Sequence, residues 1–394
     1  MFNFTATPPL SLYVHIPWCV RKCPYCDFNS HAVRDGIPEQ AYVDALLADL
    51  EQDLPAVWGR VVGTVFIGGG TPSLFTPEAI DRLLCGIRAR VSLDPQAEIT
   101  LEANPGTVDY PHFRGFREAG VNRLSIGIQS FQSELLEKIG RIHGGHEAIR
   151  ATETAHDAGF DNLNLDLMFG LPGQSLAQVH ADLHTAIDLE PTHISWYELT
   201  IEPNTWFYQH PPQRPDDDTL WSMQASGQPI LAEHGFERYE VSAHARSDKQ
   251  CRHNLNYWRF GDYLGIGAGA HGKITDANRQ QITRTAKTRH PEHYLESAYK
   301  AARISSSTVL SADDAALEYV MNALRLDTGF TRQAFSHATG LPFERIEEAV
   351  ARAVDDGLLN EQGQRLQASE RGRRFLNELL QYWMPEETAS ADMR

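Results

Sequence analysis

The chain has 394 residues, a formal net charge of −17 and 42% hydrophobic residues, enough for one large globular domain plus a smaller one. It has no run of about 18 apolar residues, which argues against a membrane-spanning helix. Its acidic balance argues against nucleic acid as a partner, because phosphate neutralisation supplies much of such affinity. Five cysteines, and no charged-then-apolar leader in MFNFTATPPL, predict a cytoplasmic protein.

An apolar run over 10–16 predicts the first strand. Just beyond it, HIPWCVRKCPYCDFNSH carries Cys19, Cys23 and Cys26 in the spacing C-x3-C-x2-C. Three thiolates suit a four-iron cluster, because they leave one iron without a protein ligand and free to bind a small molecule. Zinc stays open at this point, with His15 or His31 as a fourth ligand. An odd number of cysteines and no export signal argue against a disulfide.

Strand and helix patterns then alternate. Strands are predicted at 64–67, 98–102, 123–128, 163–168 and 193–200, and helices at 40–53, 77–90, 110–119, 146–158 and 175–189. Pro77 and Pro111 suit first helical turns, and Gly120 and Gly159 suit helix ends. Such alternation implies parallel strands with right-handed crossovers, so an α/β fold is predicted. Six units would make a partial (β/α)6 barrel, with an open doubly wound sheet as the alternative.

Three strand ends carry distinctive residues. GGGTP at 68–72 follows the second strand, and its glycines let the backbone approach a ligand closely. It matches neither the dinucleotide fingerprint nor a P-loop, and a plain tight turn is the simpler reading. Glu102, Gln129 and Asp166 fall at successive later strand ends, where β/α barrels build their active sites. Arg141, in GRIH, could add a cation. Each could alone be a cap, turn or surface residue; the series together predicts a polar site.

Beyond residue 204 the pattern loosens. PPQRPDDD at 211–218 reads as an exposed loop, and RHNLNYWRFGDYLGIGAGAHG is dense in aromatic residues and glycine. From about residue 311, charged helical segments resemble a winged helix. The stretch 311–394 holds nine Arg and Lys against fifteen Asp and Glu, which disfavours a DNA-reading wing. Three regions are therefore expected: a barrel core at 1–205, an extension at 206–305 and a winged-helix-like C-terminal domain at 306–385.

The cysteine motif, GGGTP and the spaced Glu–Gln–Arg–Asp series together resemble the radical S-adenosylmethionine superfamily, specifically the group containing oxygen-independent coproporphyrinogen III oxidase. The likeness runs through nearly the whole chain. It implies that Cys19, Cys23 and Cys26 ligate a [4Fe–4S] cluster whose fourth iron is chelated by S-adenosylmethionine. It also implies that Tyr13 lies beside the cluster, that Gly69, Gly70 and Thr71 contact the methionine end, and that Glu102, Gln129, Arg141 and Asp166 line the rest of the cofactor site. The strand ending at Thr200 would pass the adenosine.

The oxidase motif continues to a fourth cysteine, where this chain has Phe28. That departure, with H-N-x-x-Y-W at His253-Asn254-Leu255-Asn256-Tyr257-Trp258, resembles instead a sister branch of heme chaperones. The resemblance implies heme as cargo and heme-requiring clients, respiratory ones among them, with no catalytic residue assigned. Coproporphyrinogen oxidation is the alternative function, a zinc-stapled binding protein is a third, and a homodimer stays open. In the second motif His253 is the candidate heme ligand, since imidazole is a common axial ligand. Tyr257 and Trp258 offer flat surface, and Arg252 and Arg259 could pair with propionates. A buried structural turn is the simpler reading of this segment, and His15, His271 and Cys251 remain alternative ligands. Cys85, on a predicted amphipathic helix, is expected in the core.

Overall fold

The first strand, β1 (Leu10–Ile16), is apolar at most positions and buried on both faces, the mark of a central strand in a parallel sheet. In the computed structural model, which describes residues 1–34 and 36–384, it is followed by five parallel strands: β2 (Val61–Gly69), β3 (Ser92–Ala103), β4 (Arg123–Gln129), β5 (Leu163–Phe169) and β6 (His193–Glu198). They pair in chain order. The crossover helices α1 (Glu39–Asp53), α2 (Pro77–Arg88), α3 (Tyr110–Ala119), α4 (Ser133–Lys138), α5 (Gly145–Asp157) and α6 (Leu176–Asp188) lie between them. α1 packs on α2, α2 on α3, and α3 on α5. A doubly wound sheet reverses its strand order at a switch point; these strands do not, so they form a partial barrel.

Local signals set the helix ends. Thr76 accepts from Ala79 N at the start of α2, with Pro77 next to it. Asp109 caps α3, and Gly120 ends it at φ 104°, a left-handed conformation that glycine adopts without strain. Ser175 and Gln178 form a capping box on α6. The helix α4 has no counterpart among the predicted elements. Cys85 corrects its expectation: on α2 it faces solvent, and its thiol donates to Asp81.

The extension adds more regular structure than its sequence suggests. After α7 (Asp217–Glu233), the strands β7 (Glu237–Glu240) and β8 (Ala243–Ala245) join the β6 edge antiparallel. A short helix, α8 (Arg252–Trp258), then leads to β9 (Asp262–Ile266), which pairs parallel with β1 on its other side. The strands β10 (His271–Asp276), β11 (Gln281–Lys287) and β12 (Ile304–Val309) continue from β9 as an antiparallel meander. Among the described residues the sheet has twelve strands in the order β12-β11-β10-β9-β1-β2-β3-β4-β5-β6-β8-β7. Toward the C-terminus, helices α9 (Ala312–Ala323), α10 (Arg332–Thr339) and α11 (Glu344–Asp355) precede a hairpin of Leu359–Gln362 with Arg365–Ala368. This is the helix–helix–wing order. Its apolar core includes Tyr319, Phe335 and Leu366, and it extends to Phe4 and Phe260. Residue 385, the last of the expected C-terminal region, lies outside the described residues.

A buried charge cluster binds the meander to the barrel. Asp49 on α1 is fully buried. Its carboxylate accepts from Lys287 Nζ at 2.6 Å, Arg303 Nε at 2.8 Å and the Tyr294 hydroxyl at 2.8 Å. Asp53 shares both cations. Removing one member of such a cluster leaves buried charge uncompensated. Asp49→Ala is therefore expected to cost about 3–5 kcal/mol of stability. Arg82→Ala, which breaks the exposed pair with Asp44, should cost about 1 kcal/mol or less. Urea unfolding of both variants checks this, and equal losses would contradict it.

Candidate metal centre and the adjoining cavity

The cysteine loop runs over the ends of β1 and β2 because the glycine turn lets it. Gly70 N donates to Ile16 O at 2.8 Å and Thr71 N to Trp18 O at 2.7 Å. A Cβ on Gly70 would stand 2.5 Å from Trp18 O, and one on Gly69, which sits at φ 120°, would stand 2.6 Å from the His15 ring. GGGTP is thus a close backbone crossing as well as part of a cavity wall. Thr71 Oγ1 donates to Cys19 Sγ at 3.5 Å, and Arg141 Nη1 to Cys23 Sγ at 3.8 Å. Burial raises the thiols of Cys19 and Cys26 above their ordinary value, so loading a metal group must displace their protons.

Cys19, Cys23 and Cys26 line one cavity of ≈ 390 Å³, together with Gly69, Gly70, Thr71, Glu102, Gln129, Arg141 and Asp166. Four strand ends, a loop and a turn converge there. Gln129 reaches it through a register shift after Gly127, and its own φ is 71°. Such a bulge re-aims a side chain. Tyr197, on β6, donates to Gln129 Oε1 at 2.8 Å. This tyrosine lies near the predicted sixth strand end but is not among the residues that the sequence singles out. Thr200 lines the same cavity, just beyond β6.

The electrostatics of this cavity favour a bound cation. Glu102 accepts from Gly69 N at 3.0 Å. Burial first, and the nearby Asp166 charge second, raise its carboxyl to about 8. Asp166, held by Asn164 and Ser125 at 2.8 and 3.1 Å, is also raised by burial. Arg141 Nε is buried without a hydrogen-bond partner. Carboxyls raised in this way, beside an unsatisfied guanidinium N–H, fit a zwitterionic ligand that brings both an ammonium and a carboxylate. No fourth zinc ligand joins the thiols: among the described residues, no group of three His, Cys, Asp or Glu side chains is arranged to hold a single metal ion. His15 has Tyr13 OH 2.9 Å from Nδ1 and Asn29 O 2.8 Å from Nε2.

A second cavity of ≈ 590 Å³ adjoins the first, and Asp27, Phe28, Gly69 and Glu102 line both. Tyr13 lines this one and not the cysteine cavity. Phe28, where the oxidase has its fourth cysteine, is 58% exposed at the shared rim.

His253 requires a correction. It is 1% exposed and lines neither cavity. Its Nδ1 lies 2.7 Å from Thr64 Oγ1 and its Nε2 2.9 Å from Tyr257 OH. With both ring nitrogens taken, it has none to offer heme in this conformation. Burial also lowers its pKa to about 3. The motif around it is largely a brace. Glu98 accepts from the backbone N–H groups of Arg252 and His253, and Asn256 donates to Ser11 Oγ and Asp262 O. Cys251 is fully enclosed, and burial pushes its thiol up to about 12, so it is no ready thiolate. Arg252 and Arg259 line neither cavity; the second is lined instead by Lys273 on β10, Arg284 on β11 and Arg289 just after β11.

Comparison with known proteins gives the family and the fold. Residues 13–186 match the radical SAM superfamily and residues 310–375 the HemN C-terminal domain. The chain is 50% identical over 379 residues to the heme chaperone HemW of Escherichia coli (strain K12), covering 96% of this chain and 99% of that protein. It is 32% identical over 386 residues to the heme chaperone HemW of Bacillus subtilis (strain 168), covering 95% and 99%. In structure it resembles the coproporphyrinogen III oxidase HemN of Escherichia coli, with a TM-score of 0.81, 23% identity, and coverage of 96% of this chain and 90% of that one. At that identity the likeness shows the fold alone.

Glu102 gives a test that needs no cofactor. Between its ordinary pKa of 4.5 and its folded value of about 8, the folded chain holds a proton that the unfolded chain has released. Stability therefore falls as pH rises through that window. Glu102→Gln should flatten the fall, as measured by urea unfolding of the cofactor-free protein between about pH 5 and about pH 8. Equal slopes in the two proteins would contradict the assignment.

Proposed function

Because the chain belongs to the heme chaperone HemW family within the radical SAM superfamily, we propose that it binds heme in the cytoplasm and delivers it to heme-requiring clients, respiratory proteins among them. One observation carries the cofactor assignment. The three cysteines share a single cavity with Gly69, Gly70, Thr71, Glu102, Gln129, Arg141 and Asp166. In this reading Cys19, Cys23 and Cys26 hold a [4Fe–4S] cluster, and the others hold S-adenosylmethionine. When bound, a reduced cluster beside a sulfonium supplies one-electron chemistry.

The chain's own residues do the positioning. Glu102 would accept from the cofactor's amino group, and that hydrogen bond to its carboxylate draws its raised pKa back down. The unpartnered Nε of Arg141 would donate to the cofactor carboxylate. Gln129, its Oε1 already accepting from Tyr197, keeps its amide N–H groups to donate. The glycine turn brings backbone to the cysteine loop where no side chain would fit. Phe28 gives no thiolate at the oxidase's fourth cysteine position, which favours a carrier over an oxidase. Cluster and S-adenosylmethionine would then govern heme transfer, with no turnover of porphyrin.

Anaerobic reconstitution tests this reading. The wild type should take up iron and sulfide together, and Cys23→Ser should take up neither. Loaded with hemin, the wild type should pass it to a heme-free acceptor protein, and Cys23→Ser should transfer it more slowly. Transfer at an unchanged rate would overturn the governing role. Incubation with coproporphyrinogen III should yield no protoporphyrinogen; clear formation of that product would establish the oxidase instead.

A further inference from the structure

A heme carrier needs a slot with flat apolar walls, an axial ligand and a cation for a propionate. The second cavity measures ≈ 590 Å³, within the range of about 300–1,000 Å³ usual for small-molecule sites. Tyr257, Trp258 and Tyr263 line it. Tyr257 and Tyr263 meet edge-on with centroids 4.5 Å apart. The Arg325 guanidinium braces Trp258 at 4.4 Å from its ring. These rings are held in place by packing, as a planar ligand requires.

Two histidines line the cavity, His15 and His271, and His253 stands behind its wall. His15 and His253 have partners at both ring nitrogens. The His271 ring has no hydrogen-bond partner among the described residues, and its side chain is exposed at the start of β10. Burial, then the charges of Arg284 and Arg289, lower its pKa. Imidazole binds a metal through a free ring nitrogen in its neutral form.

The cations separate in the same way. Lys273 is buried against Asp262 at 3.0 Å. Arg284 is paired with Glu318 and with the Tyr263 hydroxyl. Arg289 is exposed and has no carboxylate partner among the described residues.

We propose that heme sits in this second cavity, with His271 as its axial ligand and Arg289 paired with a propionate. The proposal rests on the heme-carrier reading above and adds the seat and the ligand. It also puts the cargo beside the cofactor site, because Asp27, Phe28, Gly69 and Glu102 line both cavities. Asn29 links the two through its side chain: Nδ2 donates to Ala268 O and to Arg289 O, each at 2.9 Å. It thereby ties the cysteine loop to the turn that carries His271 and to the segment that carries Arg289.

Hemin titration of the anaerobically reconstituted full chain tests this. Wild type, His271→Ala and His253→Gln are compared by Soret spectrum and affinity, with thermal unfolding and iron content as checks on folding. His271→Ala should shift the Soret band and weaken binding about tenfold or more. Added imidazole should restore the wild-type spectrum to His271→Ala, which a merely structural role for His271 would not allow. His253→Gln should keep the wild-type Soret position. A wild-type spectrum and affinity in His271→Ala would overturn the proposal while leaving the carrier reading intact. No hemin binding by the wild type would overturn both.

Discussion

Everything in this molecule depends on how closely its cysteine loop lies on the backbone beneath it. Two hydrogen bonds, from Gly70 N to Ile16 O and from Thr71 N to Trp18 O, seat the loop on the ends of β1 and β2. They form only because Gly69 and Gly70 lack a Cβ that would strike His15 and Trp18. On one side of this crossing the thiols face Glu102, Gln129, Arg141 and Asp166. On the other side Asn29 reaches the GAGAH turn. A single loop therefore serves as part of the wall of two cavities, and whatever orders it orders both.

The second cavity depends on charge as well as on the loop. Its far wall comes from β9, β10 and β11, which a barrel alone would not supply. Asp49 and Asp53 on α1 hold this region to the core through Lys287 and Arg303. On β9, Asp262 is fully buried and pairs with Arg60 at 2.8 Å and with Lys273, which lines the cavity, at 3.0 Å. Buried pairs of this kind stabilise little relative to apolar packing, but losing one partner is costly.

Much of the cysteine cavity's lining could be read from the chain because its polar residues fall at predictable places. Strand ends of a parallel barrel meet at one face, so Glu102, Gln129 and Asp166 could be grouped before any coordinates. The cysteine spacing is local and needs no fold to be seen. The second cavity was harder. A motif such as H-N-x-x-Y-W does not say which of its side chains turn inward. Over one short helix, His253 turns to Thr64 and the core, while Tyr257 and Trp258 reach the cavity wall. Arg284 and Arg289 lie on or just after a meander strand that carries no motif, and only tertiary pairing brings them to the cavity. Tyr197 had a signal, its place near the sixth strand end, but a tyrosine there reads equally well as core. Cys85 failed for a simpler reason: an amphipathic helix has two faces, and a cysteine gives little indication of which one it occupies.

Under the proposed reading the cysteine cavity would hold a cluster and its cofactor and the adjoining cavity a porphyrin, with Glu102 and Gly69 lining both. Anomalous scattering at the iron edge, from crystals of the reconstituted protein loaded with hemin, tests this division most directly. Two iron positions are expected, a cluster bound by Cys19, Cys23 and Cys26 and a single iron at the His271 ring in the adjoining cavity. A heme iron found outside that cavity, or a cluster held by other residues, would contradict it.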